Sequence, residues 1–314
     1  TLSSSSAASD VYKRQIIASP MDSITSSEMA ITLNDYGAMA LVHRYNTIDK
    51  QVALIKEVTE KKYPVNIGAA IGVTGDYLER ASATRDAGAN LLCIDIAHGH
   101  HILTQNALYA LRSKFGDSLH IMAGNVATLE GFNALADWGA DSIRVGIGGG
   151  SICSTRLQTG HGVPTLQSIM DCARSDRDAS LIADGGLKTS GDIVKALAAG
   201  ADAVLLGAML AGTEETPGAI QVGKDGKEYK LYRGMASRSA QMDWRGKSSS
   251  PEGISTTIRY KGSVKNILRD IDGGIRSGFS YSGVRNIVDL HARAKFILQT
   301  SAGLQESGTH ILRR

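Results

Sequence analysis

One local pattern recurs along the chain: a polar, helix-like segment ends at glycine, and a short apolar run follows at once. Glycine adopts the left-handed conformation that ends a helix with little strain. The runs are rich in Val, Ile and Leu, which is typical of strands buried on both faces. The whole pattern appears four times, at residues 36–43, 87–96, 138–147 and 199–208.

Four more apolar runs raise the number of predicted strands to eight. Eight strands alternating with helices predict an α/β fold, a single (β/α)8 TIM barrel. A doubly wound open sheet is the alternative, but no dinucleotide-binding fingerprint follows the first run. The further runs lie at 16–19, 65–70, 120–125 and 181–186, and helix-like segments at 26–36, 75–88, 102–114, 129–138, 164–175 and 190–199.

After residue 208 the pattern changes. Residues 220–232 are predicted to form a hairpin with Asp225-Gly226 at its turn. Residues 236–253 are polar, rich in serine and without periodicity, which predicts a mobile loop. Together these segments predict a flap inserted after the eighth strand, around residues 220–255. An amphipathic helix at 262–276 and a tail at 301–314 are predicted beyond it.

Composition limits the class of protein. The 314 residues suffice for one large barrel, and the net charge of +3 gives no case for a nucleic-acid partner. No apolar run approaches the length of a membrane span. Residues 1–15 are low in complexity, so we expect a non-native or disordered leader before a single catalytic domain at 16–314.

The three cysteines fit neither a metal-binding spacing nor a disulfide framework, which favours a reducing, cytoplasmic compartment. Cys93 lies in a predicted strand and Cys172 in a predicted helix, so both are expected in the core. Cys153 lies in the segment GIGGGSICSTR (146–156), called here the cysteine loop. Four glycines allow this backbone to curl and expose N–H groups, Ser151 can donate to a phosphate, and Cys153 can attack as a thiolate. A glycine-rich turn with an inert cysteine is the alternative.

Two other segments lie where strands seven and eight of a barrel end, a frequent phosphate site. They are IADGG (182–186), in which Asp184 would bind a ribose diol, and LLGAM (205–209). Two alternatives are consistent with these two sequences: simple barrel turns, or the phosphate-binding loops of an FMN-dependent barrel. Glu252 is either an acid or base over the barrel mouth or a surface carboxylate. The histidines of HGHH (98–101) could ligate zinc, but no second ligand cluster is visible, which favours a loop or cofactor-facing role.

The cysteine loop, together with IADGG and YRGMAS (232–237), resembles the IMP dehydrogenase/GMP reductase family. The likeness runs from about residue 16 to 312. Further matching segments are SPMDSIT (19–25), HIMAGNVAT (120–128), YKGSV (260–264), GGIRSG (273–278) and SAGLQESGTH (301–310).

The resemblance implies roles for three catalytic residues. Cys153 matches the nucleophile that attacks C2 of the purine and forms a covalent thioimidate. Thr155 matches a threonine that handles protons together with a glutamate, and Glu252 matches that glutamate.

The resemblance also implies binding residues for GMP or IMP, for a nicotinamide cofactor (NADPH, alternatively NAD) and for a monovalent cation, K+. Family members are usually homotetramers. The implied substrate-binding residues are Ser19, Met21, Ser151, Asp184, Gly185, Gly186, Gly207, Ala208, Tyr232, Gly234, Met235 and Gly253. The implied cofactor-binding residues are Asp95, Ile96, Ala97, Asn125 and Gly148. The carbonyls of Gly148, Gly150 and Cys153 match the cation site.

The two branches of the family differ in the fate of the covalent intermediate. The dehydrogenase hydrolyses it with a water activated by an Arg-Tyr pair on a long flap, whereas the reductase needs no such pair. Here the segment from Gly234 to Glu252 is short and contains Trp244-Arg245 but no Arg-Tyr, which favours the reductase. IDIA (94–97) also favours it. Three other segments resemble the dehydrogenase instead: Ser19-Pro20, HGH (98–100) and QES (305–307). In the cysteine loop, Gly149 stands where the family usually has Pro or Ser.

Overall fold

The computed structural model describes residues 15–61 and 64–308. Eight parallel strands form a closed barrel in chain order, and β8 pairs with β1. The predicted barrel is therefore confirmed, and the open-sheet alternative is wrong. The strands are β1 (Ile16–Ala18), β2 (Met39–Val42), β3 (Ile67–Ile71), β4 (Leu91–Asp95), β5 (His120–Val126), β6 (Ser142–Val145), β7 (Ser180–Asp184) and β8 (Ala203–Leu206).

Helices connect the barrel strands and cover their outer surface. The four glycines that the recurring pattern predicts as helix ends, Gly37, Gly88, Gly139 and Gly200, all have positive φ. The helices up to β8 are α1 (Ser27–Asp35), α2 (Ile48–Lys61), α3 (Tyr77–Asp86), α4 (Ile102–Phe115), α5 (Leu129–Asp137), α6 (Thr155–Thr159), α7 (Thr165–Cys172) and α8 (Ser190–Ala198).

The core has two parts because alternate residues of each strand face opposite sides of the barrel wall. A large outer cluster lies between the strands and the helices. A smaller inner cluster fills the barrel and includes Cys93, Met122 and Ile182. Polar side chains complete the interior above this inner cluster, toward the carboxyl ends of the strands.

The flap after β8 contains a three-stranded antiparallel sheet of β9 (Gln221–Val222), β10 (Glu228–Arg233) and β11 (Ser255–Arg259). The predicted hairpin is confirmed in β9 and β10. The prediction of a loop over 236–253 is wrong in its middle, where α9 (Arg238–Arg245) forms. This helix is mostly polar and buries only Ala240 and Gln241, which explains why its sequence resembles that of a loop.

The chain ends in α10 (Val264–Tyr281), α11 (Ile287–Arg293) and α12 (Ser301–Glu306). The predicted amphipathic helix is confirmed in α10, which extends five residues beyond position 276 and buries Val264, Leu268, Ile271, Ile275 and Phe279. The predicted tail is partly helical in α12, and residues 309–314 lie outside the described part of the chain, as do residues 1–14 of the predicted leader. None of the helices in 15–61 and 64–308 has the length and hydropathy needed to cross a bilayer.

Lys230 of β10 stabilises the start of the flap as a buried cation. Its ammonium donates to the carbonyls of Thr213 (3.1 Å), Glu214 (3.2 Å) and Thr216. We expect Lys230→Met to lower the free energy of unfolding by about 2–4 kcal/mol, because buried carbonyls would lose a charged donor. Urea unfolding measures this loss. Lys227→Met, at an exposed neighbouring position, is the control, and equal stabilities of the two variants would contradict the prediction.

Candidate active site

A cavity of about 590 Å³ opens at the carboxyl ends of the barrel strands. The loops after β1, β2, β4, β6, β7 and β8 line it, and the flap forms part of its wall. Its size is in the usual range for a small-molecule site, and its position is the one at which barrel enzymes carry their chemistry.

Cys153 lies in this cavity with an exposed side chain. Its Sγ is 3.1 Å from Oγ1 of Thr155, the first residue of α6. Its backbone N–H donates to the carbonyl of Gly150 at 3.1 Å, which closes a tight turn in the cysteine loop. The thiol is therefore accessible and has a hydroxyl beside it that can exchange a proton with it.

The other two cysteines are buried, as the sequence predicts. Burial raises the pKa of Cys93 to about 11 and that of Cys172 to about 12. At neutral pH both remain protonated and unreactive.

Backbone hydrogen bonds join the cysteine loop to the far end of the flap. Ser154 N–H donates to the carbonyl of Glu252 at 2.8 Å, and Ile254 N–H donates to that of Ile152 at 3.0 Å. Glu252 N–H in turn donates to the carbonyl of Ala236 at 3.1 Å. These hydrogen bonds between three segments place Glu252 in the cavity wall beside the cysteine loop.

One side of the cavity is built from glycine-rich backbone and hydroxyl groups. Ser151 Oγ lies 3.2 Å from the hydroxyl of Tyr232. Burial raises the pKa of Tyr232, which keeps its phenol protonated and able to donate. Gly185 and Gly186 have φ of +88° and +81° and pack against the backbone of the cysteine loop. Exposed N–H groups and hydroxyls of this kind suit a phosphate.

The floor of the cavity is a charged network around Arg144. Its guanidinium contacts Asp95 at 2.7 Å and Asp184 at 2.9 Å. Burial disfavours the charge, but Cys93, Asp184 and Asp95 together hold the pKa of Arg144 above its ordinary value. Asn125 Nδ2 donates to Asp184 and to the carbonyl of Gly146, both at 2.8 Å.

Two residues of the remaining wall, Arg44 and Tyr45, were not assigned to the site by the sequence reasoning. Arg44 and Tyr45 follow β2, and their guanidinium carbon and ring centroid are 4.9 Å apart. Tyr45 meets Trp244 of α9 edge to face at 6.0 Å, and Arg245 lines the cavity. Burial raises the pKa of Tyr45. The position of Arg44-Tyr45 directly after a strand is the signal that could have indicated them.

The HGHH segment follows β4 at the same end of the barrel. His101 caps α4 by accepting from Leu103 N–H at 3.1 Å, and His100 packs against Trp138 at 5.6 Å between ring centroids. Within 15–61 and 64–308, no three side chains of His, Cys, Asp or Glu come together in a metal-binding arrangement.

The structure brings every site residue named from the sequence to this one cavity, although their individual roles remain predictions. The lining includes Ser19, Met21, Asp95, Ile96, Ala97, Asn125, Gly148, Gly150, Ser151, Cys153, Thr155, Asp184, Gly185, Gly186, Gly207, Ala208, Tyr232, Gly234, Met235, Glu252 and Gly253.

A barrel with an exposed cysteine beside glycine-rich loops at the ends of β6, β7 and β8 has the arrangement of a (β/α)8 enzyme, and loops of this kind suit a phosphorylated ligand. Comparison with known proteins identifies the family within this class. The chain belongs to the IMP dehydrogenase / GMP reductase family, whose domain model matches residues 5–310. Its members are purine-nucleotide oxidoreductases.

The relatives include both branches of the family. The chain is 48% identical over 257 residues to a GMP reductase of Leishmania major, covering 78% of this chain and 52% of that protein. It is 43% identical over 267 residues to an inosine-5'-monophosphate dehydrogenase of Nitrosopumilus maritimus, covering 80% and 55%. The chain thus spans about half the length of these curated relatives.

A solved structure with the same fold is that of a GMP reductase from Trypanosoma brucei in complex with guanosine 5'-monophosphate. The TM-score is 0.88 at 30% sequence identity, and the match covers 94% of this chain and 90% of that one.

Proposed function

We propose that this protein is a GMP reductase, which converts GMP to IMP and ammonia with NADPH through a thioimidate on Cys153. The observation that carries the proposal is the junction of the cysteine loop with the flap. The loop supplies an exposed thiol, and the flap supplies Glu252 beside it but no Arg-Tyr pair between Gly234 and Glu252. The dehydrogenase reaction requires hydrolysis of the intermediate. The Arg-Tyr pair expected to activate water for that step is absent from this segment of the sequence.

In the first half of the reaction, the Cys153 thiolate adds to C2 of GMP. The bond from C2 to the exocyclic nitrogen then breaks, and ammonia leaves with protons supplied from the site. The Thr155 hydroxyl, 3.1 Å from Sγ, is placed to pass protons between this centre and Glu252. NADPH, when bound, would supply the hydride that C2 receives. The carbon–sulfur bond then breaks, which releases IMP and restores the thiolate.

The nucleotide fits the glycine-rich side of the cavity. We place its phosphate on the backbone N–H groups near Ser151, Gly186 and Gly207, and its ribose diol on Asp184. The buried Tyr232 hydroxyl, 3.2 Å from Ser151, adds a second donor there. Met21 and Met235 line the same cavity and would contact the purine ring.

The end of β4 and the loop after it have the chemistry for a nicotinamide ribose. Asp95, Ile96, Ala97 and Gly148 line the cavity, and Asn125 Oδ1 is a buried acceptor with no hydrogen-bond partner in the described residues. A buried oxygen without a partner can accept a hydrogen bond from an N–H or hydroxyl group of a ligand. We propose NADPH as this ligand, held by Asp95 and Asn125.

The family resemblance adds a K+ ion on the carbonyls of Gly148, Gly150 and Cys153. The Gly150 carbonyl already accepts from Cys153 N–H, and its second lone pair can bind a cation. We also propose a homotetramer. Its support is the family resemblance.

IMP dehydrogenase is the second candidate, because Arg44-Tyr45 is an Arg-Tyr pair that lines the cavity from a barrel loop. The raised pKa of Tyr45 keeps its phenol protonated at neutral pH, which makes it a poor base for activating water. Arg245 of the flap also lines the cavity and would be the remaining candidate.

The deciding measurement is absorbance at 340 nm with GMP and NADPH, in the presence of potassium and a reducing agent. We expect the absorbance to fall while ammonia is released in equal amount. No change in that mixture, with NADH formed from IMP and NAD, would contradict the reductase and establish the dehydrogenase. The control is the same mixture without GMP, which corrects for slow oxidation of NADPH.

A further inference from the structure

We infer that Arg144 is a positioning residue that holds Asp95 and Asp184 in one unit and thereby couples nucleotide binding to cofactor binding. The inference rests on the proposed function in one respect, the assignment of these carboxylates to the two riboses. Nothing in the sequence pattern assigned Arg144 to the site.

The contacts of Arg144 reach both halves of the cavity. Nη1 donates to Asp95 Oδ1 at 2.7 Å, and Nη2 and Nε donate to Asp184 Oδ2 at 2.9 and 3.1 Å. Arg144 is 6% exposed as a residue, and each aspartate side chain is 15% exposed. These contacts leave Asp95 Oδ2 and Asp184 Oδ1 to accept from ligand hydroxyls.

Strand alternation explains why one arginine can reach both carboxylates. Asp95 is two residues beyond the inward-facing Cys93, and Asp184 is two residues beyond the inward-facing Ile182, so both point into the barrel. Arg144 of β6 pairs with Ile182 of β7 on one side and with Gly124 of β5 on the other.

Gly124 gives Arg144 the space it needs. A Cβ at position 124 would lie 2.6 Å from Cβ of Arg144, a distance at which one strand would have to move. The glycine therefore lets the guanidinium pass across β5 to Asp95 on β4.

The planar guanidinium suits this task because it offers several donors in fixed directions. Two nearly buried carboxylates without a shared cation would repel each other and take up protons. With Arg144 between them, neither carboxylate can turn without moving the hydrogen bonds of the other. A ligand that orders one carboxylate therefore orders the other, and the second ligand binds more tightly.

The test is calorimetric binding of IMP and NADPH to wild-type protein and to Arg144→Lys. This ligand pair does not react in either direction of the family's chemistry. Lysine keeps the charge, but its ammonium lacks the planar set of donors with which arginine hydrogen-bonds both carboxylates. We expect the Kd of each ligand to rise at least about tenfold, and the tightening of NADPH by saturating IMP to disappear.

Arg112→Lys is the matched control. Arg112 makes a comparable ion pair with Asp141, which precedes β6 and lies at the opposite end of the barrel. We expect it to alter thermal stability but to leave both Kd values within about twofold of wild type. Unchanged affinities in Arg144→Lys, or a loss confined to one ligand, would overturn the inference.

A second variant keeps the test decisive if Arg144→Lys does not fold. Asp95→Asn preserves size and removes one of the two shared charges. The coupling between IMP and NADPH is expected to fall toward unity in this variant too, and full wild-type coupling would overturn the inference. Failure of the proposed function would appear separately, in the 340 nm assay of the wild-type protein. If that assay establishes the dehydrogenase, the same calorimetry is done with IMP and NADH, a pair that also does not react.

Discussion

Replacing Cys153 by alanine is expected to abolish turnover of GMP, while the protein still folds and binds nucleotide. The side chain is exposed in the cavity and its Sγ contacts only the Thr155 hydroxyl among the hydrogen bonds of the described residues, so its loss leaves no buried gap. The proposed reaction nevertheless needs a nucleophile at C2, and the other two of the three cysteines in the sequence, Cys93 and Cys172, are buried. NADPH consumption at 340 nm and calorimetric binding of GMP together measure the two parts of the prediction.

Cys172→Ala is the control for this variant. Cys172 is fully buried on α7, so its replacement should reduce stability by about 1 kcal/mol and leave turnover intact. Turnover by natively folded Cys153→Ala above about one thousandth of the wild-type rate would contradict covalent catalysis, because loss of a nucleophile removes a complete pathway.

Gly146→Ala is the second variant with a large expected effect. Gly146 directly follows β6 and has a φ of +144°, and a Cβ there would lie 2.0 Å from the carbonyl oxygen of Asp184. The backbones of β6 and β7 would have to separate where the cysteine loop begins. We expect the free energy of unfolding to fall by about 3 kcal/mol or more and the affinity for GMP to fall at least tenfold. Urea unfolding and calorimetry measure these effects.

Gly75→Ala separates steric overlap from backbone strain. Gly75 also has a positive φ, +68°, but a Cβ there would meet nothing within 4 Å. Its replacement should therefore cost only the strain of the left-handed conformation, about 1 kcal/mol, with GMP affinity unchanged. If both variants lost the same stability, close packing of β6 against β7 would not be the reason that position 146 is glycine.

The barrel could be predicted because each of its strands is a short apolar run with buried side chains, and because glycines mark the helix ends. Residues such as Gly37 and Gly88 give that signal locally, without knowledge of the fold. The site loops could be predicted by the same logic, since in a barrel they must follow the strands. The family match then confirms the resemblance drawn from the cysteine loop.

The flap helix and the arginine network could not be predicted in the same way. Helix α9 is capped by Ser237 and Gly246 but buries only two residues, so no run of buried apolar positions marks it in the sequence. Arg144 is one charged residue within a strand of otherwise ordinary sequence, and its partners lie 49 and 40 residues away in the chain. Only the side-by-side pairing of β4 to β7 brings these charges together.

The different exposure of the three cysteine thiols has a practical consequence. Cys93 and Cys172 are shielded by packing and by raised pKa values, whereas Cys153 is open to the cavity. A mild alkylating reagent at neutral pH would modify one position per chain, and bound nucleotide would shield that position. The number of modified thiols would therefore equal the number of sites without nucleotide. An electrophile shaped like a purine would be directed to the Sγ of Cys153.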